Sequence, residues 1–219
     1  RVEAGGGFDA YSRGYTGGGP KTGGAGSGPG GGRTGGAGAS HGGYGGANSL
    51  ANLSPLYGDQ QRPRQPGSGA GPHATTGELS GAGGGLVWIE ARKDVYFAGS
   101  FLADGTALTS AGGCTGSGGG VHVDCRTWTA TETAAVSAHG GNGQYASDYA
   151  GGGGRVAIWR LRDADTAALL PVLVRGTGNL ATPSFITAME NPEGRVPDMT
   201  TGSFHLGQHK PTGFVLCVR

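Results

Sequence analysis

The side chains able to do chemistry are few and far apart. His205 and His209 in "HLGQH" stand four residues apart, a spacing that lets two imidazoles on one helical turn share a metal ion. Gly207 between them and the β-prone flanks argue against a helix, and no third ligand is near. Both histidines are therefore read as solvent-facing or internally satisfied, and no metal is expected. Asp104, Asp124 and Asp148 could form a carboxylate cluster if a repeat stacked them, as in polysaccharide-cleaving proteins that combine Ca²⁺ with a base. Their places within the repeat do not coincide, so solvated turns are the simpler expectation. His41, His122 and His139 read as turn or strand surface residues.

Motif chemistry is equally thin. Matches to GxGxxG occur, but none lies between a strand and a helix with an acidic residue about 20 positions on, as dinucleotide binding requires. No Walker phosphate loop is present. No cofactor and no catalytic residue is expected, and the chain is not read as an enzyme. Cys114, Cys125 and Cys217 make an odd count. Cys114 and Cys125 are close enough in sequence to form a disulfide, with two buried thiols as the equal alternative. Asn52-Leu53-Ser54 is a glycosylation sequon weakened by Pro55, and the Ser/Thr run "TWTATET" at 127–133 reads first as a solvated strand face.

What must position these residues is mostly glycine. The 219 residues include 51 glycines and only 14% charged side chains. Each glycine in regular structure costs roughly 0.5–1 kcal/mol against alanine, unless it serves a left-handed turn or a close backbone approach. The formal charge is +1 without a basic run, so nucleic acid is not an expected partner. No apolar run approaches the ~20 residues of a membrane-spanning helix. The opening "RVEAGGG" suggests a processed, mature segment.

Glycine also organises the chain. Residues 1–50 hold 21 glycines, 51–154 hold 24 and 155–219 only six, so the last zone reads as ordinary protein. Between 83 and 160 a lap repeats. Gly83-Gly84-Gly85 precede "LVWIEARKDVYF" and then "FLADG"; Gly118-Gly119-Gly120 precede "VHVDCRTWTATET" and then "VSAHGG"; Gly152-Gly153-Gly154 precede "RVAIWR". Gly85 and Gly120 are 35 apart, as are Phe101 and Val136. Each lap has two β-prone runs with period-two alternation (Leu86, Trp88; Val121, Val123, Cys125), whose parity slips by one between laps and leaves the inward face undecided.

A period of this length with strands and glycine turns is the signature of a solenoid. The predicted fold is all-β: a glycine-rich parallel β-solenoid over 1–160, with a small C-terminal β region over 161–219. The nine triplet glycines are expected to be its corners. Within 1–160, residues 1–50 form a glycine-rich packed segment, 51–82 an irregular excursion and 83–160 the repeat laps. "VEAGGG" matches the second half of a lap, with Val2 in the place of Val136. The stretch 14–46 reads either as packed, extended polyglycine-II chain or as a long loop over the solenoid. Beyond 160, 163–170 suits a short helix, and 171–176, 183–190, 202–207 and 213–219 suit strands. The last of these (Phe214, Val215, Leu216, Cys217, Val218) reads as an assembly strand for a neighbour's sheet edge, or equally as a strand within its own domain.

The residues quoted resemble the laps of glycine-rich extracellular proteins of bacteria and algae, of the form "GSGGSIWI", "GTISANGG" and "GGGGGRIAIY". The matching stretches are "SGGGVHVDCRTW" (117–128), "AAVSAHGGNG" (134–143) and "AGGGGRVAIWR" (150–160), preceded by "SHGGYGG" (40–46) and "YGDQQRPRQPGSGAG" (57–71). The resemblance covers about 1–160 and implies a parallel β-solenoid on secreted or surface-displayed proteins with structural or adhesive roles. It implies no catalytic residue.

The expected function is that of an extracellular or cell-surface structural protein. Its copies would assemble head to tail into a filament, partly by strand exchange. The alternatives are a surface adhesin that binds glycans or other cells through aromatics such as Trp128, Tyr145 and Tyr149, and a polysaccharide-active enzyme on the same fold. Expected partners are further copies of the chain and, for the adhesin, surface glycans.

Overall fold

The structure is a computed structural model that describes residues 1–19, 24–47, 50–72, 80–108, 113–131, 134–142, 149–161, 172–173 and 202–208. The expected helix at 163–170, the strand at 183–190 and the terminal strand Phe214–Val218 lie outside these residues. Described secondary structure is nearly all strand. In chain order come β1 (Gly7–Asp9), a single 3-10 turn at Leu50–Asn52, β2 (Leu86–Glu90), β3 (Val95–Phe97), β4 (Ser100–Leu102), β5 (Gly120–Cys125), β6 (Trp128–Ala130), β7 (Ala135–Ser137), β8 (Arg155–Arg160), β9 (Val172–Leu173) and β10 (Ser203–Gln208).

Among the described residues all strand pairs are parallel, and they form three sheets, ordered β10-β8-β5-β2, β1-β4-β7-β9 and β3-β6. The laps that begin at Gly83 and Gly118 thus contribute three short strands each rather than two, because the run after the glycine triplet bends and splits. The bend around Arg92-Lys93 in one lap sits beside Arg126-Thr127 in the next. There the Asp94 carboxylate accepts hydrogen bonds from Arg126 Nε (2.8 Å) and Thr127 Oγ1 (2.7 Å). The splitting also resolves the parity slip. Leu86 pairs with Gly120, Val95 with Trp128, and Ser100 with Ala135, offsets of 34, 33 and 35 residues. Phe101 and Val136 pair as expected, whereas Gly120 lies opposite Leu86 and not Gly85.

Register and burial fix the inner face. Val87, Val121 and Val156 form one buried row, and Ile89, Val123 and Ile158 the next. β-Branched side chains stacked in this way pack tightly on a pleated surface, each contributing about 1.5–3 kcal/mol of burial. Leu86 and Trp88 point the other way. Phe97, Phe101 and Trp128 close the core, with ring centroids 4.1 Å apart for Phe97–Phe101 and 5.2 Å for Phe97–Trp128. Phe8, not Val2, occupies the place of Phe101 and Val136; Val2 instead bridges to Phe97.

The glycine triplets correct another expectation. None of the nine has a positive φ and none lies in a turn. They run straight into β2, β5 and β8, fully buried, inside a bundle built from backbone alone. Segment 114–119 illustrates the arrangement. Its amides donate to Tyr149, Ser68, Gly152 and Ala103, while its carbonyls accept from Gly81, Ala39, Gly141, Gly84 and Arg155. A strand in a sheet bonds to neighbours on two sides; this segment is bonded all around. The stretch 26–46 and the second half of the excursion, 67–71, enter the same network: Gly32 donates to Gly69, Gly71 to Ala37 and Gly42 to Gly153.

Contacts this close exclude side chains. A Cβ on Gly84 would lie 1.9 Å from the Ala103 carbonyl oxygen, and one on Gly118 would lie 2.0 Å from that of Ala138. Backbone carbonyls cannot yield as a flexible side chain can. Gly84→Ala and Gly118→Ala should each destabilise the protein by about 3 kcal/mol or more. Gly24→Ala, whose Cβ would meet nothing nearer than 4.0 Å, should change stability little. Denaturant unfolding of the three variants checks this.

Candidate functional site

The four-stranded sheet presents its other face outward in three rows. Ser203, Arg155, Gly120 and Leu86 make the first; His205, Ala157, His122 and Trp88 the second; Gly207, Trp159, Asp124 and Glu90 the third. Alternation forces this grouping once Val87 and Ile89 face the core. Residues 57–66, from the excursion, lie across these rows as a strap. Arg155 Nε donates to the Tyr57 carbonyl (2.7 Å), Trp159 Nε1 donates to the Gln61 carbonyl (2.6 Å), and Pro63 is fully buried. Gly120 leaves room for the crossing: a Cβ there would lie 3.0 Å from the Gln65 carbonyl oxygen.

The strap is held rigidly. Asp59 Oδ1 accepts the amides of Gln61 (2.7 Å) and Arg62 (3.1 Å), and these bonds hold its carboxyl below the usual range. Gly58 turns the chain with φ +78°. The strap encloses an open pocket of about 400 Å³ lined by Asp59, Arg62, Arg64 and Gln65. Arg64 lies over the Trp88 ring, 5.0 Å from its centroid, and Trp88 stacks on His122 at 4.0 Å while donating Nε1–H to Glu90 at 3.0 Å.

Beneath the strap's first residue sits a buried polar cluster. His41 is fully buried, donates Nδ1–H to the Gly118 carbonyl (2.8 Å) and stacks on Tyr57 at 4.4 Å. The Tyr57 hydroxyl donates to the Pro66 carbonyl (2.6 Å) and accepts from Ser68 Oγ (2.9 Å). His41 Nε2 has no hydrogen-bond partner. Burial, with Arg155 nearby, lowers the His41 pKa to about 4, against the opposing effect of the Gly118 bond.

Several expected residues fall elsewhere. His41 and His122 are buried, not surface residues, because glycine neighbours let the strap and bundle close over them. His205 lies in β10 with its ring 4.9 Å from that of Trp159, while His209 lies outside the described residues. Asp104 accepts hydrogen bonds from Ser137 Oγ (2.5 Å) and the His139 amide (2.7 Å), and Asp124 stands in register with Glu90, so these two do not meet. Asp148 lies outside the described residues. Among those residues no group of three His, Cys, Asp or Glu side chains is placed to hold a metal.

Of the two readings left open for Cys114 and Cys125, a disulfide or two buried thiols, the structure has the free, buried thiols. Cys125 ends β5 with Sγ 3.6 Å from the Trp159 carbonyl, whereas Cys114 lies in the glycine bundle beside Ala37. Burial pushes both up to about 12. Trp128 belongs to the core, Tyr149 packs over Gly36, and Tyr145 lies outside the described residues. The strap residues had only a faint signal in the sequence: Pro63 between two arginines, and Asp59 two residues before Gln61. Comparison with protein-family models, with characterised proteins and with solved structures finds no match.

The His41 environment has a pH consequence. An unfolded imidazole takes up a proton near pH 6.5, whereas the folded one resists until about pH 4. Its contribution to stability is therefore complete above pH 6.5, falls as pH drops through that window and levels off below 4, a loss on the order of 3 kcal/mol. Unfolding free energies measured between pH 7.5 and 4 should show this decline. His41→Gln should flatten it, leaving a smaller slope from His122, whose ring burial also holds below its ordinary value.

Proposed function

We propose that this chain is an extracellular structural protein, a glycine-rich parallel β-solenoid with a polyglycine-II-like bundle, whose copies associate end to end. The supporting observation is how its sheets finish. Among the described residues they end on one side in β1 and β2 and on the other in β9 and β10, and every pairing within a sheet is parallel. A second copy can therefore add its β10 beside β2 without reversing direction, a heterologous contact that repeats indefinitely. The β1/β2 side also carries exposed apolar side chains: Phe8 at 54%, Tyr11 at 43% and Leu86 at 36%.

The three-way bonded glycine bundle suits a load-bearing element, since it leaves few backbone groups for water to attack. The resemblance of the laps to secreted and surface-displayed repeat proteins supports the extracellular setting. Carboxylates engaged in internal hydrogen bonds, such as Asp104, favour a structural over a catalytic role. The assembly strand Phe214–Val218 is not needed for this reading, which places the contact on the sheet edges.

Sedimentation across a concentration series tests the proposal. The wild type should form oligomers that grow with concentration, and Phe8→Lys with Leu86→Lys should shift them at least tenfold toward monomer without changing the circular dichroism spectrum. A wild type that stays monomeric throughout contradicts it.

A further inference from the structure

The strap pocket combines features that no end-to-end contact requires. Arg62 and Arg64 are both exposed, and among the described residues neither forms an ion pair. Arg64 is not free to wander: the Trp88 face 5.0 Å below holds its guanidinium, and Trp88 is itself held by His122 on one side and by the Glu90 carboxylate through Nε1. His122 is buried to 2% exposure and its Nδ1 lacks a partner, so the platform under the arginines is also polar. Asp59, fixed by two backbone amides, and Gln65 line the same pocket.

From this arrangement we propose that the pocket binds an acidic polysaccharide. A bare anion is a poor fit, because the ionised Asp59 would repel it. A neutral sugar leaves the two guanidinium groups unanswered. A sugar with an acidic group and neighbouring hydroxyls satisfies both: the acid pairs with the planar guanidinium groups of Arg62 and Arg64, while Asp59 and Gln65 accept from and donate to the hydroxyls. The pocket, about 400 Å³ and open to solvent, has room for more than a single small anion. Pinning of the strap by Arg155, Trp159 and Pro63 means little ordering is left to be done on binding. With a chain charge of only +1, such binding rests on this local pair and not on a general basic surface.

Affinity electrophoresis of the full chain through gels containing alginate, dextran sulfate or plain dextran provides the test. Alginate presents carboxylates and dextran sulfate presents sulfates, so retardation by one or the other identifies the acid. The wild type should be retarded by at least one acidic polymer and not by dextran. The Arg62→Gln/Arg64→Gln variant, altered only at exposed side chains and checked by thermal melting, should bind at least tenfold more weakly. An Arg1→Gln/Arg13→Gln variant with the same charge change should bind as the wild type does. Absence of retardation in both acidic gels, full affinity in the Arg62/Arg64 variant, or equal loss in the Arg1/Arg13 variant overturns the proposal.

Discussion

Direct backbone contact is the constraint on which the rest of this structure depends. Peptide groups pack against peptide groups with no side chain between them, and every buried amide needs an acceptor. Where Gly84 faces Ala103 and Gly118 faces Ala138, even one methyl group cannot be fitted. The usual division of labour in a small protein, with side chains filling the core and backbone confined to ladders, is thus altered. Val87, Val121, Val156 and their neighbours build a narrow apolar core, and beside it the glycine segments build a second interior held by hydrogen bonds. The entropic cost of ordering glycine is offset there by bonds in several directions.

The two interiors also set the outer surface. Because the triplets lead straight into β2, β5 and β8, the strands start level with one another and their outward residues line up in rows. Gly120 in the first row gives the strap a place to cross, and Arg155 and Trp159 fasten it. The strap then holds Arg64 over the Trp88–His122 platform, with Arg62 lining the same pocket. End-to-end association would use the backbone edge of β2, whereas the strap pocket uses the outward face of the same strand through Trp88.

How much of this could be read from the sequence depends on the kind of interaction. The parallel pairing of successive laps was legible because Phe101 and Val136 keep their spacing and their type. The exact register of β2 and β5 was not, since the offset between laps changes from 34 to 33 to 35 across the three strand pairs and sequence spacing cannot assign where. Glycine triplets suggested corners because glycine most often signals a left-handed turn; here close approach is the reason, and only neighbours distant in sequence reveal it. His41 and His122 read as surface residues for the same reason, since the groups that bury them come from residues 57–66 and 118–120. The strap's site was hidden in a Pro- and Arg-containing stretch with no periodicity.

Amide hydrogen exchange tests the backbone bundle most directly. If glycine segments form a second interior, the amides of Gly84, Gly118 and Gly152 should exchange as slowly as those of Val121 and Val156 in the central strands. Exchange of the glycine amides at the rate of an unprotected loop, while Val121 and Val156 remain protected, would contradict it.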